Sequence, residues 1–203
     1  LEYLLDHLNL NSVVLVGSSY GGFTALALAV KSSHRIKAVV AVEPPMMKYA
    51  YFTQEGREIA DQFRATTIEP ANLAFRSGDN EKAAKIMTGG INGATLQVSS
   101  GAAMSKRLQN LQAMKMIALS TDEFPLIPPD QLACLPMPIL LMSGVNTQPV
   151  HRAIFDNLVA AMPNAKALRV AGAGHGVSRE QADYFNNSVL AFLGVDIDGA
   201  LAN

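Results

Sequence analysis

Two short stretches carry residue types that could do chemistry together. Gly17-Ser18-Ser19-Tyr20-Gly21 sets a serine between two glycines, and Gly172-Ala173-Gly174-His175-Gly176 sets a histidine in a glycine-rich run much later in the chain. A serine hydroxyl becomes a useful nucleophile when a neighbouring base takes its proton. Imidazole suits that task near neutral pH. The first stretch is G-x-S-x-G, whose physics asks for a very tight turn from strand to helix. Small residues two before and two after the serine let the two elements pass closely. The hydroxyl of Ser19 is then exposed at the tip, and the helix N-terminus points at the reaction site. There the backbone N–H of Tyr20 can stabilise a developing oxyanion. As general base, His175 must come within about 2.6–3.2 Å of the serine oxygen. Plainer readings stand beside these: a glycine-bounded turn with an incidental serine, and a loop histidine.

The surrounding sequence supplies elements able to bring the two together. Val13 to Val16, Ala38 to Val42, Ile139 to Met142 and Ala167 to Ala171 are short, continuous apolar runs. That pattern predicts parallel strands covered on both faces. Helical patterns follow three of them, at Gly21 to Lys31, His151 to Met162 and Arg179 to Leu193. Strands alternating with helices predict right-handed crossovers and an α/β sheet. A histidine on a loop at the carboxyl edge of such a sheet can reach the active edge. His7, His34 and His151 fall on or beside predicted helices and read as solvated surface residues.

Between Met46 and about Leu135 the alternation stops, and the segment reads as helical. Ser77-Gly78-Asp79 and Gly89-Gly90 are expected to bracket one short helix. Met104, Leu108, Leu111, Met114 and Ala118 mark an apolar stripe on another, and Pro125, Pro128, Pro129, Pro136 and Pro138 punctuate the return to the sheet. The expected organisation is a core of residues 1–45 and 136–203 interrupted by a helical insertion, 46–135. Most methionines of the insertion are expected as core filler. Met46 and Met47, just after Glu43, are the best candidates to line an adaptable apolar substrate pocket.

In these features the sequence resembles the α/β-hydrolase superfamily over nearly its whole length. The order of Ser19 and His175 matches that family's nucleophile–acid–histidine order, and the helical insertion matches its cap domain. The resemblance implies a parallel-sheet hydrolase core and a serine hydrolase working through an acyl-enzyme on an ester or related carbonyl compound. The family's commonest acid position is the loop after Ile139 to Met142. Here that loop, Ser143-Gly144-Val145-Asn146-Thr147-Gln148-Pro149, holds no carboxylate. Some relatives, haloalkane dehalogenases among them, carry the acid after the preceding strand, which implies Glu43 in this sequence. Pro44 should bias Glu43 toward extended geometry. The plainer alternative is that Glu43 solvates the strand end. A serine in the elbow and the absence of tryptophan set the chain apart from dehalogenases and epoxide hydrolases, which use an aspartate nucleophile.

Composition narrows the remaining classes. With 203 residues, 49% of them hydrophobic, the chain can bury a sizeable core. Sixteen basic residues against 17 acidic ones give a net charge of −1, without the basic excess that phosphate-neutralising nucleic-acid binders show. One cysteine, Cys134, excludes an internal disulfide framework. No apolar run is long enough for a membrane-spanning helix. Neither glycine stretch meets the dinucleotide fingerprint, and no histidines or carboxylates are paired at metal-ligand spacing, so neither cofactor nor metal is expected. The expected partner is a small-molecule substrate, with no nucleic acid and no membrane, in a cytoplasmic setting.

Leu1, Leu4, Leu5 and Leu8 recur at helical spacing, so the chain opens inside an amphipathic helix. The resemblance implies further strands ahead of this point, one of them followed by a loop bearing the second oxyanion donor. The expectation is a core lacking its N-terminal strands, with Val13 to Val16 left as an open apolar edge. Such a chain would need the remainder of its fold or an oligomeric partner. The alternative to an active enzyme is therefore a catalytically impaired fragment or a non-enzymatic interaction protein of the same fold.

Overall fold

A computed structural model describes residues 1–93, 105, 108–122 and 124–195. The four apolar runs form strands β1 (Val13–Ser18), β2 (Ile36–Val42), β3 (Ile139–Gly144) and β4 (Lys166–Val170). They pair in parallel in the order β1-β2-β3-β4. The register sets Ser18 beside Val42, Val42 beside Met142 and Gly144 beside Val170. The carboxyl ends of all four strands therefore share one edge.

Alternation along the two inner strands builds a core on each face of the sheet. Val39, Ala41, Ile139 and Leu141 point to one side. They meet helix α2 (Tyr20–Lys31), through Leu26 and Ala29, and a helix after β3 (Pro149–Ala161), through Ile154, Phe155 and Leu158. Val40, Val42, Leu140 and Met142 point to the other side and pack with Val170, Val177 and Val189. Truncating a fully buried leucine such as Leu141 to alanine costs about 2–5 kcal/mol.

Only β2 and β3 meet the expectation of strands covered on both faces. In β1, Val13 and Leu15 pack against the core, whereas Val14 and Val16 are 39% and 51% exposed. The reason is topological: β1 is an edge strand with a helix over one face alone. The opening helix α1 (Glu2–His7) shows the same asymmetry, burying Leu5 but leaving Leu1, Leu4 and Leu8 exposed.

The regular elements described between β2 and β3 are helices: α3 (Met47–Ala50), α4 (Gln54–Phe63), α5 (Glu69–Arg76), α6 (Asn80–Asn92), α7 (Leu111–Leu119) and α8 (Pro129–Ala133). A π-helical turn, Arg64–Ile68, joins α4 to α5. Thr53 caps α4 and Asp79 caps α6 through side-chain oxygens. Helix α6 runs through Gly89 and Gly90 and ends at Gly93, whose φ is 69°. The glycine pair does not stop the helix as expected. A Cβ on Gly90 would lie 2.2 Å from the Thr67 side chain, so this glycine serves close packing against the π turn. Tyr49, Ala50 and Ala60 join the main core, while Ala71, Phe75, Ala83, Met87 and Ala118 form a smaller cluster of their own. Leu111 and Met114 of the expected stripe pack on that cluster, and Met104 lies outside the described residues.

After β3 come α9 (Pro149–Ala161), then β4, then α10 (Val177–Glu180) and α11 (Ala182–Phe192), where one terminal helix was expected. Among the described residues no helix is long and apolar enough to cross a membrane.

Candidate functional site

Ser19 stands between β1 and α2 with φ 52° and ψ −121°, a backbone conformation that costs a non-glycine residue of order 1–3 kcal/mol. Two backbone bonds hold it there. Its N–H donates to the Val42 carbonyl at 2.8 Å, and its carbonyl accepts from the Phe23 N–H at 3.1 Å. Gly17 explains how the turn fits: a Cβ there would sit 2.2 Å from the Gly21 carbonyl oxygen. Gly21 itself faces open space, so the second glycine of the motif is not required by contact in this structure. The N–H of Tyr20 is at the first position of α2, where helix geometry provides no internal acceptor. Its side chain is exposed on one side and meets Phe124, ring centroids 5.9 Å apart.

Glu43 follows β2 directly, and its side chain is wholly covered. The expected extended backbone is not found, because φ is 43°. Its N–H donates to the Met142 carbonyl at 2.9 Å, and this left-handed turn accompanies a carboxylate aimed across the end of β3. Oε1 accepts from Ser143 Oγ at 2.7 Å and from the Gly144 N–H at 2.9 Å. Oε2 accepts from Thr147 Oγ1 at 2.7 Å and lies 2.7 Å from His175 Nδ1. Four contacts over-determine a backbone conformation that would otherwise be strained. Burial pushes the Glu43 carboxyl up. The hydrogen bond and charge of His175, with the Ser143 and Thr147 hydroxyls, outweigh this and hold it below its ordinary value.

His175 rides the loop between β4 and α10, with its side chain 10% exposed. The Glu180 carboxylate grips the loop on both sides of the histidine, accepting from the Gly174 N–H at 2.7 Å and the Gly176 N–H at 3.2 Å. Gly144 lets this loop approach β3, since a Cβ there would lie 2.2 Å from the Gly174 carbonyl oxygen. The structure thus joins Glu43 to His175 directly and places Ser19 beside the same strand end through Val42. Among the described residues no hydrogen bond joins the Ser19 hydroxyl to His175.

His151 corrects the sequence reading. Expected on the surface, it is 6% exposed, in the first turn of α9, and its ring stacks on that of His175 with centroids 4.5 Å apart. His7 and His34 are exposed as expected. A signal was available: His151 shares a helix face with Ile154, Phe155 and Leu158. Burial first, then the charge of His175, pushes the His151 pKa down to about 4. Glu43, His151 and His175 each bring a ligand atom within 4.8 Å of the others, a grouping that sequence spacing could not show. Yet Glu43 Oε2 and His175 Nδ1 are spent on each other, and rings stacked 28° from parallel do not aim in-plane lone pairs at one point. The arrangement suits a carboxylate–imidazole pair better than a metal.

Met46 is 2% exposed and belongs to the main core, and Met47 packs against it half-buried. A groove of about 310 Å³ between α4 and α9 is lined by Thr53, Ile59, Arg152 and Asn157 among others, and by neither methionine.

Residues 1–180 match the family described as the alpha/beta hydrolase fold. A carboxylesterase of Bacillus subtilis, YbfK, is 24% identical over 192 residues, covering 94% of this chain and 60% of the relative. An Escherichia coli esterase, YbfF, is 25% identical over 191 residues, covering 93% of this chain and 70% of the relative. The crystal structure of the Bacillus subtilis carboxylesterase CesB (YbfK) superposes with a TM-score of 0.65 at 21% identity, covering 95% of this chain and 63% of that one. The chain thus spans about six-tenths of the length of that relative.

Proposed function

The chain belongs to the α/β-hydrolase fold family, and from that premise we propose that it is a serine hydrolase cleaving carboxylic esters or related carbonyl compounds through an acyl-enzyme. One observation carries the reading: a buried Glu43 carboxylate oxygen lies 2.7 Å from His175 Nδ1, at the strand edge where Ser19 occupies its strained turn. The names of the carboxylesterase and esterase relatives support the same reaction class.

In this mechanism Glu43 fixes the tautomer of His175, leaving Nε2 free to take the proton from Ser19 Oγ as the oxygen attacks the substrate carbonyl. Negative charge collects on the former carbonyl oxygen, where the Tyr20 N–H donates to it. The tetrahedral adduct collapses, and His175 returns its proton to the departing alkoxide. The Ser19 ester that remains is opened by water, with His175 again accepting a proton. The carboxylic acid leaves, and Ser19 regains its hydrogen. Substrates are small to medium and largely apolar, held under the helices between β2 and β3 acting as a cap.

The test is covalent labelling with a fluorophosphonate together with hydrolysis of p-nitrophenyl acetate. Wild-type protein is expected to label and turn over. Ser19→Ala should lose labelling and at least about 10⁴-fold in kcat. Equal labelling of both proteins would overturn the proposal. A second reading, in which these 203 residues alone are catalytically impaired, is favoured by the exposed Val14 and Val16 on the β1 edge. Labelling without appreciable turnover is its signature.

A further inference from the structure

One buried titratable side chain beside the site has no part in the mechanism above. His151 is packed in the first turn of α9 next to Val150 and on the face carrying Ile154 and Phe155. Its Nε2 is buried and makes no hydrogen bond. One side of the ring faces His175, centroids 4.5 Å apart and planes 28° from parallel. Phe63 meets it edge-on at 6.2 Å. Its one hydrogen bond, to the Ile91 backbone, leaves the buried Nε2 and the whole ring face without a polar role.

We propose that His151 is a positioning residue whose flat face fixes the ring plane of His175, while Glu43 fixes its edge. This rests on the hydrolase reading. A single hydrogen bond at Nδ1 sets one in-plane direction but leaves the ring able to rock about that line. A second ring lying against its face removes the rocking, and Phe63 prevents the second ring from receding. Nε2 of His175 is thereby aimed, and small errors in such aim are costly to the chemical step. The stack also suits the charge that develops. When His175 takes the proton of Ser19, a neutral aromatic face beside the cation stabilises it. The charged groups facing His151 are His175 and Glu43, and the Ile91 backbone accepts its one hydrogen bond. Burial and His175 keep His151 uncharged near neutral pH, so it adds no competing positive charge.

Because the unpartnered Nε2 makes the face the useful part, a flat apolar ring should substitute for it and a branched apolar chain should not. The experiment compares His151→Ala, His151→Leu and His151→Phe by kcat and KM on p-nitrophenyl acetate. It also follows the proton NMR resonance of the His175–Glu43 hydrogen bond, which does not depend on turnover. For His151→Ala, kcat should fall about 10- to 100-fold with KM within about twofold, and the resonance should broaden. His151→Phe should recover kcat to within about threefold of wild type with a sharp resonance, and His151→Leu should behave like alanine. Recovery by leucine as full as by phenylalanine would overturn the proposal. So would an alanine variant with unchanged kcat and unchanged resonance. If His151→Ala does not fold, the phenylalanine–leucine pair decides. If wild-type protein neither takes the fluorophosphonate label nor hydrolyses the ester, the hydrolase reading fails, and the resonance alone still reports whether His151 orders the ring.

Discussion

On the β2–β3 flank of the sheet, the Glu43 carboxylate takes four polar contacts and is wholly covered. On the β1 flank, the bonds that hold Ser19 among the described residues are those of its backbone, the Tyr20 side chain is 51% exposed, and Val14 and Val16 face outward. The difference lies in where the partners come from. Among the described residues, the hydrogen-bond partners of the Glu43 carboxylate belong to β3, the loop after it, or the His175 loop, which are close neighbours in the sheet. Among the described residues, β1, which leads into Ser19, has a neighbouring strand on one side only. The Glu43–His175 pair of the proposed mechanism is therefore held by partners within this chain, whereas the β1 edge leading into Ser19 is exposed among the described residues.

The sharpest way to break this contrast is to damage the finished half. Glu43→Gln keeps the size of the side chain but loses the charge that holds the His175 tautomer. It should reduce kcat by about 10³–10⁴-fold while the thermal unfolding transition remains cooperative. Turnover close to wild type would remove Glu43 from the proposed triad.

Acid titration of stability probes the same half more gently. Folded protein keeps His151 neutral down to about pH 4, whereas an unfolded chain protonates it near 6.5. Its contribution is thus full above about 6.5 and is lost as pH falls toward 4, by up to about 3 kcal/mol. Glu43 acts in a lower window. Its pKa is depressed from 4.5, so its contribution is lost only as pH drops below that value through the lowered one. Urea unfolding at pH 7.5, 5.5 and 4.5 should show the first loss in wild type and a much flatter response in His151→Phe. Identical slopes for the two proteins would contradict the burial argument.

The smallest effect is expected on the open flank. Val16→Lys places a charge on an exposed edge position and should change stability by less than about 0.5 kcal/mol. Sedimentation velocity should show less self-association of the 203-residue chain than in wild type. A large loss of stability would mean that Val16 is covered after all.

The strands were legible because Val-Val-Leu-Val and Ala-Val-Val-Ala-Val allow few other structures, and the serine turn because Gly17 leaves little steric choice. Less was legible where a side chain's role depends on a neighbour distant in sequence. Ser143 and Thr147 looked like ordinary loop hydroxyls until β3 placed them against Glu43. The strained φ of Glu43 runs against the local preference before proline, because tertiary hydrogen bonds outweigh that preference. His151 was misjudged by residue type, although its helix face already marked it as inward. Gly89 and Gly90 were misjudged by propensity, since packing against Thr67 uses Gly90 without ending the helix.

Thr147 Oγ1 reaches the carboxylate oxygen that lies against His175. Two adjacent strands thus converge on one anchorage for a negative charge. Were the residue types at 43 and 147 to trade roles, the charge would migrate one strand along the sheet while the imidazole stayed where it is. In the proposed mechanism the scaffold therefore offers two seats for one orienting acid.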